Sequence, residues 1–229
     1  MLDGLLNFLF PPRCIFCNKL ITPQTRTDLC PGCFSQLPFS KDGIMKTKCR
    51  YIDGLISLFT YTGPVRESIV RFKFFDKPSY FRTYAKLLSE RIVENVDKDK
   101  MDCIISVPLH KKRQLERGYN QSALVSCKIA RILGIPDCSD LVKRVINTQK
   151  QSLLPGDERS RNVKNAFKVI YPEKVAGRNI LLLDDIFTTG HTIDECARVL
   201  KEAGAKSVIG VVIACAFRNT LCRMNTSVY

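Results

Sequence analysis

The chain is predicted to be an α/β protein: a parallel sheet wound from βαβ units, preceded by a small module stapled by cysteines. Three observations predict this. Short continuous aliphatic runs alternate with stretches of helical spacing, the pattern of strands buried on both faces and joined by crossover helices. The first 53 residues have no such alternation and are rich in breakers: Pro11, Pro12, Pro23, Pro31, Gly32 and Pro38. Four cysteines stand among those breakers in two CxxC pairs. The expected division is a module over 1–53 and a larger unit over 54–229.

The larger unit reads in order. Gly54–Tyr61 (GLISLFTY) is a strand. Pro64 suits the first turn of a helix that carries Val65, Ile69 and Phe72 on one face. Tyr80–Val96 is a second amphipathic helix, with Ala85, Leu88, Ile92 and Val96 in register. Asp102–Pro108 is a strand, and Gln121–Leu133 is a helix stopped by Gly134 and Pro136. Leu141–Ile146 and Phe167–Ile170 are short strand-like runs around a polar, basic stretch from Asn147 to Asn165. Asn179–Asp184 is a buried strand, Thr192–Ala203 a helix ended by Gly204, and Ser207–Ala214 the closing strand.

Composition narrows the function. With 45% hydrophobic and 25% charged residues, the chain is neither disordered nor fibrous. Its 36 Lys and Arg against 22 Asp and Glu leave a net charge of +14, which points to a polyanionic ligand or partner: a sugar phosphate, a nucleic acid or an acidic lipid. No apolar run approaches the ~18 residues of a spanning helix. The opening MLDGLLNFLF carries Asp3 and no basic flank, unlike a signal peptide, so a cytoplasmic location is expected. The 11 cysteines are an odd number. Cys49, Cys103, Cys127, Cys138, Cys196, Cys215 and Cys222 are scattered, as free thiols are in a reducing compartment.

Cys14, Cys17, Cys30 and Cys33 are different. In CIFC and CPGC each pair brings two thiolates within reach of one ion, and the 12 residues between the pairs let them converge. Four sulfur donors suit Zn²⁺, and a closed site of that kind contributes folding free energy to a segment with too little core of its own. A redox CxxC needs only one pair at a helix start. The expectation is a structural zinc ribbon, with one metal per chain and Cys49 left over. Substituting Cys30 or Cys33 is expected to unfold 1–53 and leave the larger unit intact.

The stretch Ile180–Thr192, ILLLDDIFTTGHT, holds the most chemistry. Four aliphatics deliver the chain to a strand end, two carboxylates follow, and small hydroxyl residues and a glycine then open a helix. Gly190 permits close backbone approach. The amides from Thr188 through Thr189 and His191 to Thr192, with the helix N-terminus behind them, form a cradle for a phosphate. Asp184 and Asp185 repel a phosphate and suit hydroxyl donors such as those of a ribose. Ligands of open α/β sheets bind at this end of the strands. A capped helix start with two solvated acids does not account for paired acids before TTGxT.

Two further segments are basic. Pro108–Ser122, PLHKKRQLERGYNQS, gathers Lys111, Lys112, Arg113 and Arg117 at a strand end, with a turn at Gly118. If that strand neighbours the Asp-Asp strand, Lys112, Arg113 and Arg117 face the same crevice and can hold a pyrophosphate; a solvated basic helix start is the other reading. The run from Lys143 to Phe167 reads as a mobile cover over an anionic site, with Arg159, Arg161 and Lys164 as candidate anion contacts.

The Asp-Asp, Thr-Thr-Gly stretch resembles the phosphoribosyl-pyrophosphate (PRPP) loop of type I phosphoribosyltransferases. Together with RGYNQ, RxxNVxxAF and the leading CxxC pairs, it makes the chain similar over nearly its whole length to the ComF family of competence-associated, phosphoribosyltransferase-like proteins. The resemblance implies a type I phosphoribosyltransferase fold behind a zinc ribbon. It also implies PRPP binding through Asp184, Asp185, Thr188, Thr189, Gly190, His191 and Thr192, with Mg²⁺ bridged by PRPP oxygens. Purine-salvage members carry an acid in place of Thr188, so their activity is not implied. Family membership further implies a part in natural transformation, the entry of single-stranded DNA into the cytoplasm alongside a helicase-like competence ATPase.

Three functional readings stand, the third being a transcriptional or metabolic sensor in which PRPP gates a partner surface on the ribbon. The first is a glycosyltransferase of the phosphoribosyltransferase class, with Asp184 and Asp185 as catalytic residues and an unidentified acceptor. The second is a non-enzymatic accessory that holds single-stranded DNA on its positive surface, its PRPP site vestigial or regulatory. Aromatic and basic residues interleave from Phe72 to Lys77 (Phe72, Lys73, Phe74, Phe75 and Lys77), which suits either base stacking or the underside of a helix packed on the core.

Overall fold

A computed structural model describes residues 11–22, 27–75, 77–146 and 163–216. In chain order the elements are α1 (Pro31–Gln36), β1 (Gly54–Thr60), α2 (Gly63–Phe74), α3 (Phe81–Val93), β2 (Cys103–Ser106), α4 (Lys111–Arg117), α5 (Gln121–Leu133), β3 (Val142–Arg144), β4 (Phe167–Val169), β5 (Asn179–Phe187), α6 (His191–Glu202) and β6 (Ser207–Cys215). A four-stranded sheet runs in the order β1-β6-β5-β2, every neighbouring pair parallel. β3 and β4 form a separate antiparallel pair. The α/β class with a parallel sheet is therefore observed.

The aliphatic runs are buried on both faces because helices cover both. On one side Ile104, Leu181, Leu183, Val211 and Ile213 meet residues of α2, α3 and α5. On the other, Ile105, Ile180, Leu182, Val208 and Val212 meet α6 and the β3–β4 pair. Val65, Ile69 and Phe72 are fully buried, as the helical spacing predicts for α2. Cys14, Ile15, Phe16, Leu29 and Leu37 belong to the first of these cores. Phe16 meets Phe59 and Tyr84 edge-on, with ring centroids 5.6 and 6.2 Å away.

Two departures from the sequence reading shape the site. β5 does not stop at Asp184 but runs on to Phe187, because β6 lies beside it to Cys215 and keeps pairing through Asp184↔Val212, Ile186↔Ala214 and Phe187↔Cys215. The paired acids therefore ride on the last part of a rigid strand. The basic loop contains a helix, α4, started by the Lys112 N–H donating to His110 Nδ1 and closed by Gly118 at φ 76°. No hydrophobic period announces α4, since it buries none of its residues and Leu115 is 85% exposed. The aromatic run divides: Phe72 lies in the core, while Phe74 and Phe75 are 58% and 61% exposed.

Candidate functional site

The acids at the end of β5 are held differently. Asp184 Oδ1 accepts from the Asp185 N–H at 2.8 Å and from the Ser122 hydroxyl at 3.4 Å. Burial, then the neighbouring charge of Asp185, push the Asp184 carboxyl up to about 7, against the pull of the Asp185 amide, Lys73 and Arg144. Asp185 Oδ2 makes an ion pair with Lys73 Nζ at 2.8 Å, and both side chains are only about 15% exposed. Lys73 comes from the last turn of α2, so two elements far apart in sequence close one side of the site.

Beyond Phe187 the chain turns into α6 through Gly190, the N-cap, at φ 83°. No other residue fits there. A Cβ at Gly190 would lie 2.5 Å from Cys49 Sγ and 2.7 Å from the Phe187 ring, in a backbone conformation that L side chains avoid. Thr188, Thr189, Gly190, His191 and Thr192 enclose a small cavity of about 20 Å³ that Asp184 also borders. This places a hollow bordered by three threonines at the positive end of a 12-residue helix. Asp194, the acid in the first turn of α6, is engaged elsewhere: it accepts from the Arg50 and Tyr51 amides at 3.1 and 2.8 Å.

A larger cavity of about 420 Å³ opens next to that turn. Asp184, Asp185, Thr188 and Thr192 line its β5–α6 side, Arg113 and Arg117 line the α4 side, and Lys73, Arg144, Asn120 and Ser122 complete its polar wall. Tyr61, Val70, Phe74, Val107, Pro108, Leu109 and Ile186 supply the apolar surface. The Arg117 guanidinium sits 5.0 Å from the centre of the Phe74 ring and donates to Gln121 Oε1 at 3.3 Å. Burial first, then the charge of Arg113, hold Arg144 down to about 10, against the attraction of Asp184. Burial and Arg117 lower Arg113 likewise. Cations crowded closely enough to repel one another around a hydroxyl-rich floor are matched by a ligand carrying several negative charges.

Of the residues singled out from sequence, Asp184, Asp185, Thr188, Thr192, Arg113 and Arg117 share the large cavity, and Thr189, Gly190 and His191 lie in the adjoining turn. Lys112 is exposed and does not line either cavity. Lys164 is exposed beside Glu195, and Arg159 and Arg161 lie outside the described residues. Sequence reasoning passed over Asn120, Ser122 and Arg144 as site residues, and read Lys73 and Phe74 as a strand-stacking or core-packing run and not as part of this crevice. Asn120 and Ser122 stand inside the RGYNQS motif, where a polar run directly after the basic loop was an available signal. Lys73 and Arg144 had none, because only the packing of α2 and the β3–β4 pair brings them to the rim.

The four N-terminal cysteines also converge. Their sulfurs all lie within 4.8 Å of one another. The Cys17 and Cys30 sulfurs are 3.7 Å apart, close to the ~3.8 Å edge of a tetrahedron with zinc–sulfur bonds of about 2.3 Å. The Cys30 N–H points at Cys14 Sγ (3.5 Å) and the Cys33 N–H at Cys30 Sγ (3.4 Å), as amides do around bound thiolates. Burial alone would raise the Cys14 thiol, yet the Cys17, Cys30 and Phe16 amides bring it down to about 7. The donor set fits zinc.

Comparison with known proteins agrees with both halves. Residues 120–223 match the phosphoribosyl transferase domain family and residues 5–49 the double zinc ribbon domain family. Competence protein F of Haemophilus influenzae is 32% identical over 89% of this chain and 96% of its own length. DNA utilization protein YhgH of Escherichia coli K12 is 32% identical over 85% of this chain and 86% of its own. Competence protein ComFC of Bacillus subtilis is 29% identical over 83% and 72%. Paired acids before a hydroxyl-rich turn, a four-cysteine ribbon and an identity sustained along both together mean that the chain belongs to the ComF family of phosphoribosyltransferase-like proteins.

Proposed function

We propose that this protein binds PRPP with Mg²⁺ and acts as a phosphoribosyltransferase in the handling of incoming single-stranded DNA. The observation that carries the reading is the shared cavity: Asp184 and Asp185 beside the Thr188–Thr192 turn, faced by Arg113, Arg117 and Arg144. In this reading the turn takes the 5′-phosphate on its amides, and the two carboxylates accept from the ribose hydroxyls. The arginines face the pyrophosphate. The bond from C1 to the pyrophosphate oxygen breaks with its electron pair leaving on pyrophosphate, and a bond forms from C1 to the acceptor, whose proton passes to solvent. Carboxylate and hydroxyl oxygens of the kind that Asp184, Asp185, Thr188 and Thr192 offer suit Mg²⁺, which would supply positive charge against the departing pyrophosphate. The tie to DNA rests on relatives named for competence and DNA utilization. No helix among the described residues is long and apolar enough to cross a membrane.

Calorimetry with PRPP and Mg²⁺ tests the binding step. Saturable heat is expected from the wild type, with a loss of about 100-fold or more in affinity when Asp184→Ala and Asp185→Ala are combined; a wild type that gives no heat overturns the reading. Pyrophosphate release across a panel of acceptors then tests turnover. One observation favours the non-enzymatic reading instead: Phe74 and Phe75 stand exposed in a run that includes Lys73 and Lys77, on a chain of net charge +14. A strand held that way loses affinity log-linearly with salt and ignores Mg²⁺–PRPP.

A further inference from the structure

Four consecutive residues in the last turn of α2 each reach a different part of the molecule. Arg71 Nη2 donates to the carbonyls of Ile15 and Phe16, both at 2.8 Å, and these are the two residues between Cys14 and Cys17. The Phe72 side chain is sealed in the core, and its carbonyl accepts from Tyr119 Oη, in the RGYNQ motif, at 2.6 Å. Lys73 pairs with Asp185 at 2.8 Å. Phe74 lines the large cavity and carries the Arg117 guanidinium on its ring.

We propose that Arg71 is a positioning residue through which the metal-bound CIFC knuckle sets the α2 side of the ligand site. The inference rests on the PRPP reading for its consequence but not for its geometry. A CxxC knuckle closed on a metal turns its amides toward sulfur and leaves its carbonyls to converge outward, where one planar guanidinium can take two of them. A divalent ion with four thiolates is also a net negative cluster, which a nearby cation balances. Ile15 and Phe16 are themselves nearly fully buried, so the knuckle is a fixed anchor once closed. From that anchor to Lys73 is two residues of one helical turn, too short to absorb a displacement. Opening the knuckle therefore moves the Lys73 amine relative to Asp185 and the Phe74 ring relative to Arg117.

The experiment compares wild type, Arg71→Met and Thr83→Val, each zinc-loaded and after zinc removal by a chelator. Thr83 is a control because its buried hydroxyl accepts from the Asp28 amide at 3.1 Å; this also ties the ribbon to the larger unit, but through α3. Hydrogen exchange of peptides covering 70–75 and 184–192 is read first, without ligand, and PRPP affinity second. The expectation is faster exchange in both segments and about tenfold weaker PRPP binding for zinc-loaded Arg71→Met. Zinc removal should do the same to wild type, and should add less than twofold in Arg71→Met, since both changes break one link. Thr83→Val should leave 184–192 and PRPP affinity within twofold of wild type. The proposal is overturned if exchange at 184–192 ignores both zinc removal and Arg71→Met, if the two effects multiply independently, or if Thr83→Val matches Arg71→Met. Should Arg71→Met fail to fold, the chelation arm on wild type and Thr83→Val decides by the same criteria. Coupled exchange in a wild type that does not bind PRPP would sink the ligand reading and leave this link standing.

Discussion

Asp184 spends its free state in surroundings that resist its charge. Burial and Asp185 bring its carboxyl to about 7, whereas in the unfolded chain it titrates near 3.9. The folded protein thus holds a proton that the unfolded chain releases earlier. The contribution of Asp184 to stability is fully present below pH ~4 and is lost as pH rises through about 7. Asp184→Asn should accordingly melt higher than wild type at pH 8, by up to about 4 kcal/mol at roughly 1.4 kcal/mol per pKa unit, and the difference should shrink steadily as pH falls toward 4, as read by calorimetric melts at pH 8, 6 and 4. Ligand binding runs the other way. Ribose hydroxyls want the carboxylate, so PRPP affinity should rise between pH 6 and 8 and binding should release protons, measurable as a buffer-dependent heat. Lys73→Met removes the cation facing Asp185, so its affinity should be weaker and its rise displaced to higher pH. A Lys73→Met curve superposing on wild type would refute the role of that ion pair. Gly190→Ala places a methyl against Cys49 and Phe187 and should cost about 2 kcal/mol or more; Cys49→Gly in the same chain should restore part of the loss in melting temperature.

At the scale of elements, α2 and α4 build the cavity walls, and neither does so by its hydrophobic stripe. α2 follows its helical period up to Phe72, then turns Lys73 and Phe74 outward into the site. α4 buries nothing of its own and is held by its ends, at His110 and Gly118, and by the chain that follows, where Tyr119 reaches the Phe72 carbonyl. Tyr119→Phe removes that hydrogen bond and should cost about 1 kcal/mol. Because the bond joins α2 to the end of α4, it should also weaken PRPP binding more than its stability cost would suggest. A denaturant melt set beside a calorimetric titration separates these two effects. β5 makes the same point from the other side: its pairing with β6 continues past the acids, so Asp184 is a ladder rung and Asp185 sits between that rung and the next at Ile186.

The whole molecule is organised around cores that the ribbon shares. Ile15, Phe16, Leu29 and Leu37 pack into the same core as β1, α2 and α3, and the chain leaving the ribbon docks on the first turn of α6 by donating the Arg50 and Tyr51 amides to Asp194. The division at residue 53 treats the ribbon as separable, with the larger unit surviving Cys30 or Cys33 substitution. The shared core argues for a wider effect. Metal analysis should find about one zinc per chain, and Cys30→Ser should lower the melting temperature of the entire protein in one transition. Two separated transitions, with the upper one unmoved, would restore the independent-module view.

How much was legible depends on the range of the force that wrote each feature. Strands flanked by breakers, amphipathic α2, α3 and α5, the glycine stops and the CxxC pairs follow from local spacing, and so do Asp184, Asp185 and the Thr188–Thr192 turn, because one strand end and one helix start are contiguous in the chain. α4 was not legible, since a helix that buries no face leaves no periodic trace. Lys73 and Arg144 were not legible either: each is an ordinary basic residue until the crossing of α2 over the sheet and the placing of β3 carry it to the rim. The residues alone thus determined the chemistry offered at the end of β5 and the metal chosen by four thiols. Only the tertiary structure decided which cations face those acids and that the ribbon packs into the same core, because charges distant in sequence meet only where burial of apolar surface forces the elements together.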